Sequence, residues 1–290
     1  MAAILSRTRD VDTTLRKSLY THLLNLIPNP RGLTIAQREL IVRNGLGDRE
    51  ESVRVAAGKL VAGWAEAVGG GGKKTKEKDK VAEGEDVEEG APERPAPMEA
   101  EKSTNEKCDL VKFLEIFDLV GSSVAEDALK SIFVMRTDIL DAVDMPGKSI
   151  NLAATHSLLI LSASDTYWDD LTPEKAFLAR SFAEYCLSKN DEERLAAQMP
   201  VVTLLAFKIQ AIYNAYLKRN EEHEFLGEGV DPEEDDKYEE FKADCEFVLG
   251  ELFKLADTLD YADEMGRRTM FRLVRKECSF CPASLADPLG

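Results

Sequence analysis

The chain has 290 residues, a formal net charge of −17, 44% apolar residues and five cysteines. No run of 18 uncharged apolar residues occurs, which excludes a membrane-spanning helix on length, and the odd, scattered cysteines argue against a disulfide framework. Strong helix formers fill the apolar segments and none alternates with period two for long, so the expected fold class is all-α.

Charge is unevenly spread. Residues 1–72 carry ten Lys and Arg against seven Asp and Glu, residues 73–107 eight against eleven, and residues 108–290 nineteen against thirty-six. Only the first block suits a polyanion, because the last would repel one.

In chain order, Leu15, Leu19, Leu23, Leu26 and Ile27 recur at helical spacing, so residues 11–27 read as the second helix of a hairpin whose first helix is missing. Pro28, Pro30 and Gly32 stop it, and Thr34 with Gln37 forms a capping box for the next helix. Gly45 and Gly47 make a turn. Asp48 with Glu51 reads as a second capping box, ahead of an apolar face of Val53, Ala56, Ala57, Leu60, Val61 and Trp64. Residues 48–60 repeat 10–22 at an offset of 38: in both copies an Asp stands five residues before an aliphatic residue and six before an Arg. The Asp suits a helix N-cap and the Arg a contact with the Asp of a neighbouring unit, so Asp10, Arg16, Asp48 and Arg54 form a candidate repeat ladder. A period of about 40 residues with one helix pair per unit is that of HEAT-type solenoids. The plain alternative is two unrelated amphipathic helices.

From 69 to 107 the chain is rich in Gly, Pro, Lys and Glu and reads as a disordered low-complexity insertion. Order is expected again over 108–275. Helices are predicted at Leu110–Leu119, Val124–Phe133, a short piece at Ile139–Val143, Leu152–Leu161, and from Thr172-Pro-Glu, where a hydroxyl cap, a proline and an acid form a strong start. A short helix after Asn190-Asp191, a central one over 201–217, a long one from Asp231-Pro232 to Leu259 and a last one around Met265–Val274 follow, with an acidic loop at 220–236. Residues 276–290 read as an irregular tail where more helix would be expected, and the array reads as a truncated or mispredicted piece of a longer solenoid.

No catalytic constellation emerges. His22, His156 and His223 lack metal-ligand spacing, Gly69–Gly72 has no strand before it for a phosphate loop, and Cys278–Cys281 has no second ligand pair for zinc. No metal or cofactor is expected, and the acidic 220–236 stretch reads as solvated. What remains is surface. Arg9, Lys17, Arg38, Arg43, Arg49 and Lys59 give the first block an arginine-dominant character suited to phosphate, with a merely solvated face as the alternative.

Two stretches, RDVDTTLRK (9–17) and LTIAQRELIVRNGLGDR (33–49) with SVR (52–54), resemble the G subunits of condensin, a non-SMC HEAT-repeat family, in a fungal-type version. LTPEKAFLARSFAEYC (171–186) and LDYADEMGRR (259–268) resemble the family's following repeats. The resemblance covers 1–72 and 108–275. It implies a HEAT array that binds the kleisin subunit and, with it, duplex DNA in a positive groove during mitotic chromosome condensation, in the nucleus on chromosomes and in the cytoplasm outside mitosis. ATP hydrolysis in such a complex belongs to the SMC subunits, which the array would meet only through the assembly. The rival class is a generic HEAT or armadillo scaffold whose acidic second half binds a basic protein.

Overall fold

The computed structural model describes residues 2–70, 109–121, 123–145, 166–226 and 232–277. The predicted insertion, the helix over 152–161, Cys108 and Cys278–Cys281 lie outside them. Among the described residues every regular element is helical. They are α1 Ala2–Arg7, α2 Thr13–Leu26, α3 Ile35–Leu46, α4 Glu51–Gly69, α5 Leu110–Leu114, α6 Val124–Met135, α7 Thr137–Ala142, α8 Thr166–Asp169, α9 Pro173–Ser188, α10 Glu192–Gln198, α11 Val202–Leu226, α12 Pro232–Ala256 and α13 Glu264–Glu277.

Neighbour packs on neighbour. α2 lies on α4 and α4 on α6, with α1 against α2 and α3, and α3 across α4 and α6. Farther on, α9 packs on α12, and α11 on both α12 and α13. One apolar cluster runs from Tyr20 in α2 to Leu273 in α13, with Ile4 and Leu5 of α1 and Leu195 of α10 packed against it, the quasi-one-dimensional core of an α-solenoid. Its largest fully buried side chains include Trp64, Trp168, Tyr20, Phe113, Phe133 and Phe182. Two of these carry a polar tip that finds a carbonyl: Trp64 Nε1 donates to Ile27 O at 3.1 Å and Tyr20 Oη to Ile41 O at 2.9 Å. Gly45 lets α3 close on this region, since a Cβ there would sit 2.6 Å from Ala57 Cβ and 2.7 Å from the Tyr20 ring.

Local signals explain several helix ends. Thr34 and Gln37 form a reciprocal capping box, Thr172 caps α9 with Pro173 behind it, and Asp191 caps α10 after Asn190 takes a φ of 56°. Other expectations change. The "missing" first helix is present as α1. The helix expected over 110–119 stops at Leu114, and Asp118 then closes a side-chain turn onto the amides of Val120 and Gly121. The 220–236 stretch is not one acidic loop, since α11 runs on to Leu226 and α12 opens at Pro232. Ion pairs such as Arg219 with Glu222 and Glu234 offset the repulsion of its acids. Helices α4 and α13 reach Gly69 and Glu277, into the stretches read as insertion and tail.

Candidate nucleic-acid interface

The repeat read from sequence has a shared geometry. Asp10 and Asp48 each stand three residues ahead of their helix, and each Oδ1 accepts the amide two residues on, Asp12 N at 3.1 Å and Glu50 N at 2.9 Å. They are therefore not the N-caps expected. Asp12 caps α2 through Thr14 N, and Glu50 occupies the cap of α4 with no side-chain bond, so the Asp48–Glu51 capping box is absent. The aspartates close a side-chain turn just before the cap.

Six residues on, the arginines turn back alike. Arg16 Nη1 donates to Asp10 O at 2.8 Å and Val11 O at 3.2 Å; Arg54 Nη1 donates to Asp48 O at 2.8 Å and Arg49 O at 2.9 Å. The other edge of Arg16 grips Asp48 bidentately, Nε to Oδ2 at 2.6 Å and Nη2 to Oδ1 at 3.0 Å, joining the α1–α2 unit to the α3–α4 unit. That bond from Arg16 holds the Asp48 carboxyl below its ordinary range and raises the pKa of Arg16 itself. Asp10 is likewise held low, chiefly by its bond from Arg7.

The six phosphate candidates separate. Arg38 is 7% exposed, and its Nη1 donates to Pro30 O at 3.1 Å and Leu33 O at 3.0 Å, fastening the turn at Pro30–Gly32 onto α3. Its reading as a phosphate contact is corrected. Arg38 shares the inner face of α3 with Ile41, Val42 and Gly45, at i, i+3, i+4 and i+7, a pattern visible in sequence but outweighed there by its charge. Arg9 is exposed yet braced, its Nε donating to Asn44 Oδ1 at 3.0 Å. Arg43 and Arg49 are 57% and 75% exposed, each 3.8 Å from a glutamate, Glu39 and Glu50; pairs this loose leave them open to another anion. Lys17 and Lys59 line one groove of about 470 Å³ between α2 and α4, together with Tyr20, Ser52, Val55 and Leu60.

One cluster had no signal in the sequence beyond its charges. Arg180, buried on α9, donates to Glu251 of α12 and to Glu184 at 2.7 Å, and lies 3.3 Å from Glu126 of α6. Its guanidinium also stands 4.9 Å over the Phe177 ring. Burial works against the Arg180 charge, but Glu184 and Glu251 outweigh it and raise its pKa. Only the fold brings α6, α9 and α12 together, so their pairing was not legible. Among the described residues no group of three or more His, Cys, Asp or Glu is placed to hold a metal ion. His223 instead stacks on Tyr238 with ring centroids 3.8 Å apart and bonds Asp235 at 3.0 Å.

No family model matches the chain. It is 27% identical over 290 positions to condensin complex subunit 3 of Saccharomyces cerevisiae, covering 99% of this chain and 21% of that protein. It is 27% identical over 278 positions to condensin complex subunit 3 of Schizosaccharomyces pombe and 24% over 277 to that of Homo sapiens. The chain thus spans about a fifth of the length of these relatives. Its fold superposes on a chain in the crystal structure of the S. pombe condensin Cnd3–Cnd2 subcomplex with a TM-score of 0.66 and 26% identity, over 98% of this chain and 29% of that one.

Proposed function

We propose that this chain, a relative of condensin complex subunit 3 through one segment of that protein, is a non-catalytic HEAT-repeat element of a condensin complex. It engages a Cnd2-type subunit, in the role of the kleisin, and contributes phosphate contacts to a duplex-DNA surface during mitotic chromosome condensation on nuclear chromosomes. The observation that carries the reading is the similarity along nearly all of the chain to a subunit solved in a Cnd3–Cnd2 subcomplex. For DNA, support comes from exposed Arg9, Arg43 and Arg49 and the groove lysines Lys17 and Lys59, all within residues 1–72, the block with net positive charge. Arg38 and Arg16 hold structure instead.

The test is a pull-down of the Cnd2-type subunit by this chain, with fluorescence anisotropy on a labelled duplex across a salt series. Binding to the duplex should fall steeply as salt rises. Combining Arg43→Glu and Arg49→Glu should weaken it without lowering the melting temperature. Neither partner subunit nor duplex retained by a folded chain refutes the reading. A chain that ignores DNA and captures basic peptides supports the scaffold alternative.

A further inference from the structure

We propose that Arg54 is a preformed receptor for a phosphate of duplex DNA, an assignment that rests on the DNA-binding reading above and names one of its contacts. The ladder arginine of the first unit shows what the geometry accepts. With Nη1 tied to two carbonyls, the Nε–Nη2 edge of Arg16 faces the next unit and is filled by both oxygens of Asp48. Arg54 is tied by Nη1 in the same way, to the carbonyls of Asp48 and Arg49, so the same edge is held ready.

The acceptor is missing one unit later. The aspartate stands three residues before the helix in both earlier copies, Asp10 before Thr13 and Asp48 before Glu51. Three residues before Val124, the first residue of α6, stands Gly121. Asp118, six residues before α6, turns its Oδ1 to the amides of Val120, at 3.0 Å, and Gly121, at 2.9 Å, and makes no bond to Arg54. Among the described residues nothing accepts from Arg54 Nε or Nη2, and the side chain is exposed.

A guanidinium held by one nitrogen and open along the opposite edge is set for a bidentate oxyanion, and little ordering is left to oppose binding. Both carboxylate and phosphate fit that fork. Phosphate is favoured by exposure. A single carboxylate gains little at an open rim. A polyanion that also reaches Arg49, whose carbonyl holds Arg54 and whose own side chain is 75% exposed, releases several counterions at once.

The experiment titrates the full chain into a labelled duplex over a salt series, with Arg54→Gln, Arg54→Lys and Arg16→Gln alongside the unaltered protein and a polyglutamate peptide as competitor. Arg54→Gln is expected to weaken binding roughly three- to tenfold at low salt. It should reduce the slope of log affinity against log salt by about 0.9, with a smaller drop in melting temperature than Arg16→Gln gives, because the carbonyl bonds of Arg54 are solvent-exposed and it holds no ion pair among the described residues. Arg54→Lys should restore the slope but not the full affinity, since it keeps the charge and loses the fork. Arg16→Gln should lower the melting temperature and leave the slope alone. If the unaltered chain binds the duplex and Arg54→Gln matches it in affinity and slope, this assignment falls and the DNA reading stands. If the unaltered chain does not bind the duplex, both fall. Polyglutamate binding that depends on Arg54 more than duplex binding does overturns the choice of phosphate.

Discussion

Replacing Arg180 by Met tests whether the second half of the solenoid is welded by charge. The substitution keeps most of the aliphatic stem and the contact with Phe177, and removes the guanidinium that meets Glu126, Glu184 and Glu251 from three helices. The three glutamates fare differently. Glu126 and Glu184 have side chains 27% and 35% exposed and can swing into water, so their loss is small. Glu251 is 3% exposed and, among the described residues, retains only Lys254, at 2.9 Å, as a cationic partner. Breaking a buried pair from one side costs about 3–5 kcal/mol, and Lys254 brings the expected loss to the lower end, about 3 kcal/mol. For a folded unit of this size that is a drop in Tm of roughly 6–12 °C. Joining it to Glu251→Leu removes the stranded charge and should recover most of the loss, because an apolar pair of similar volume often matches a buried ion pair. Urea and thermal denaturation followed by circular dichroism read both variants. A loss under about 1 kcal/mol for Arg180→Met, or a double variant no more stable than the single, refutes the argument.

Gly45→Ala should destabilise by about 1–2 kcal/mol despite better helix propensity, because the new methyl meets Ala57 at 2.6 Å and a Tyr20 ring tethered to Ile41 O; urea midpoints check it. Arg38→Gln should lower the urea midpoint and leave the salt dependence of duplex binding unchanged, since two carbonyls and not phosphate are its partners. For pH, Asp48 is held below its ordinary value of 3.8 in the folded chain, so its contribution is complete above that value and is lost as pH falls through the lower folded pKa. The acid limb of the stability profile, below about pH 4, should therefore flatten in Asp48→Asn, while near-neutral stability drops.

The helical class, the repeat offset and most element starts were legible because they depend on local chemistry. A threonine with a glutamine three residues on, or a Thr-Pro-Glu start, acts within one turn, and the structure places Thr34 and Thr172 where that chemistry puts them. Asp48 shows the limit of the same reasoning. An acid before a helix can cap it or close a side-chain turn two residues earlier, and one residue of register decides between them. The ladder pair was legible as spacing but not as geometry, because Arg16 reaches Asp48 only after two units stack. Arg180 was illegible for the same reason on a larger scale, its partners Glu126 and Glu251 lying 54 and 71 residues away in sequence.

Arginine content alone therefore misreads a basic solenoid segment, because one residue type does three kinds of work within 50 residues. Arg38 sits on a buried helix face and serves carbonyls. Arg16 serves the next unit's aspartate. Arg49 and Arg54 stand at the rim, one loosely paired with a neighbouring glutamate and the other lacking the aspartate that its register leads one to expect. What separates them is the acceptor within reach, set by helix phase for Arg38 and by the residue three places before the second helix of the next unit for Arg16 and Arg54. A phosphate competes only for the edges that the fold leaves unfilled. The useful count of cations in this segment is thus smaller than its composition suggests, and its contribution to binding a polyanion should follow that smaller number.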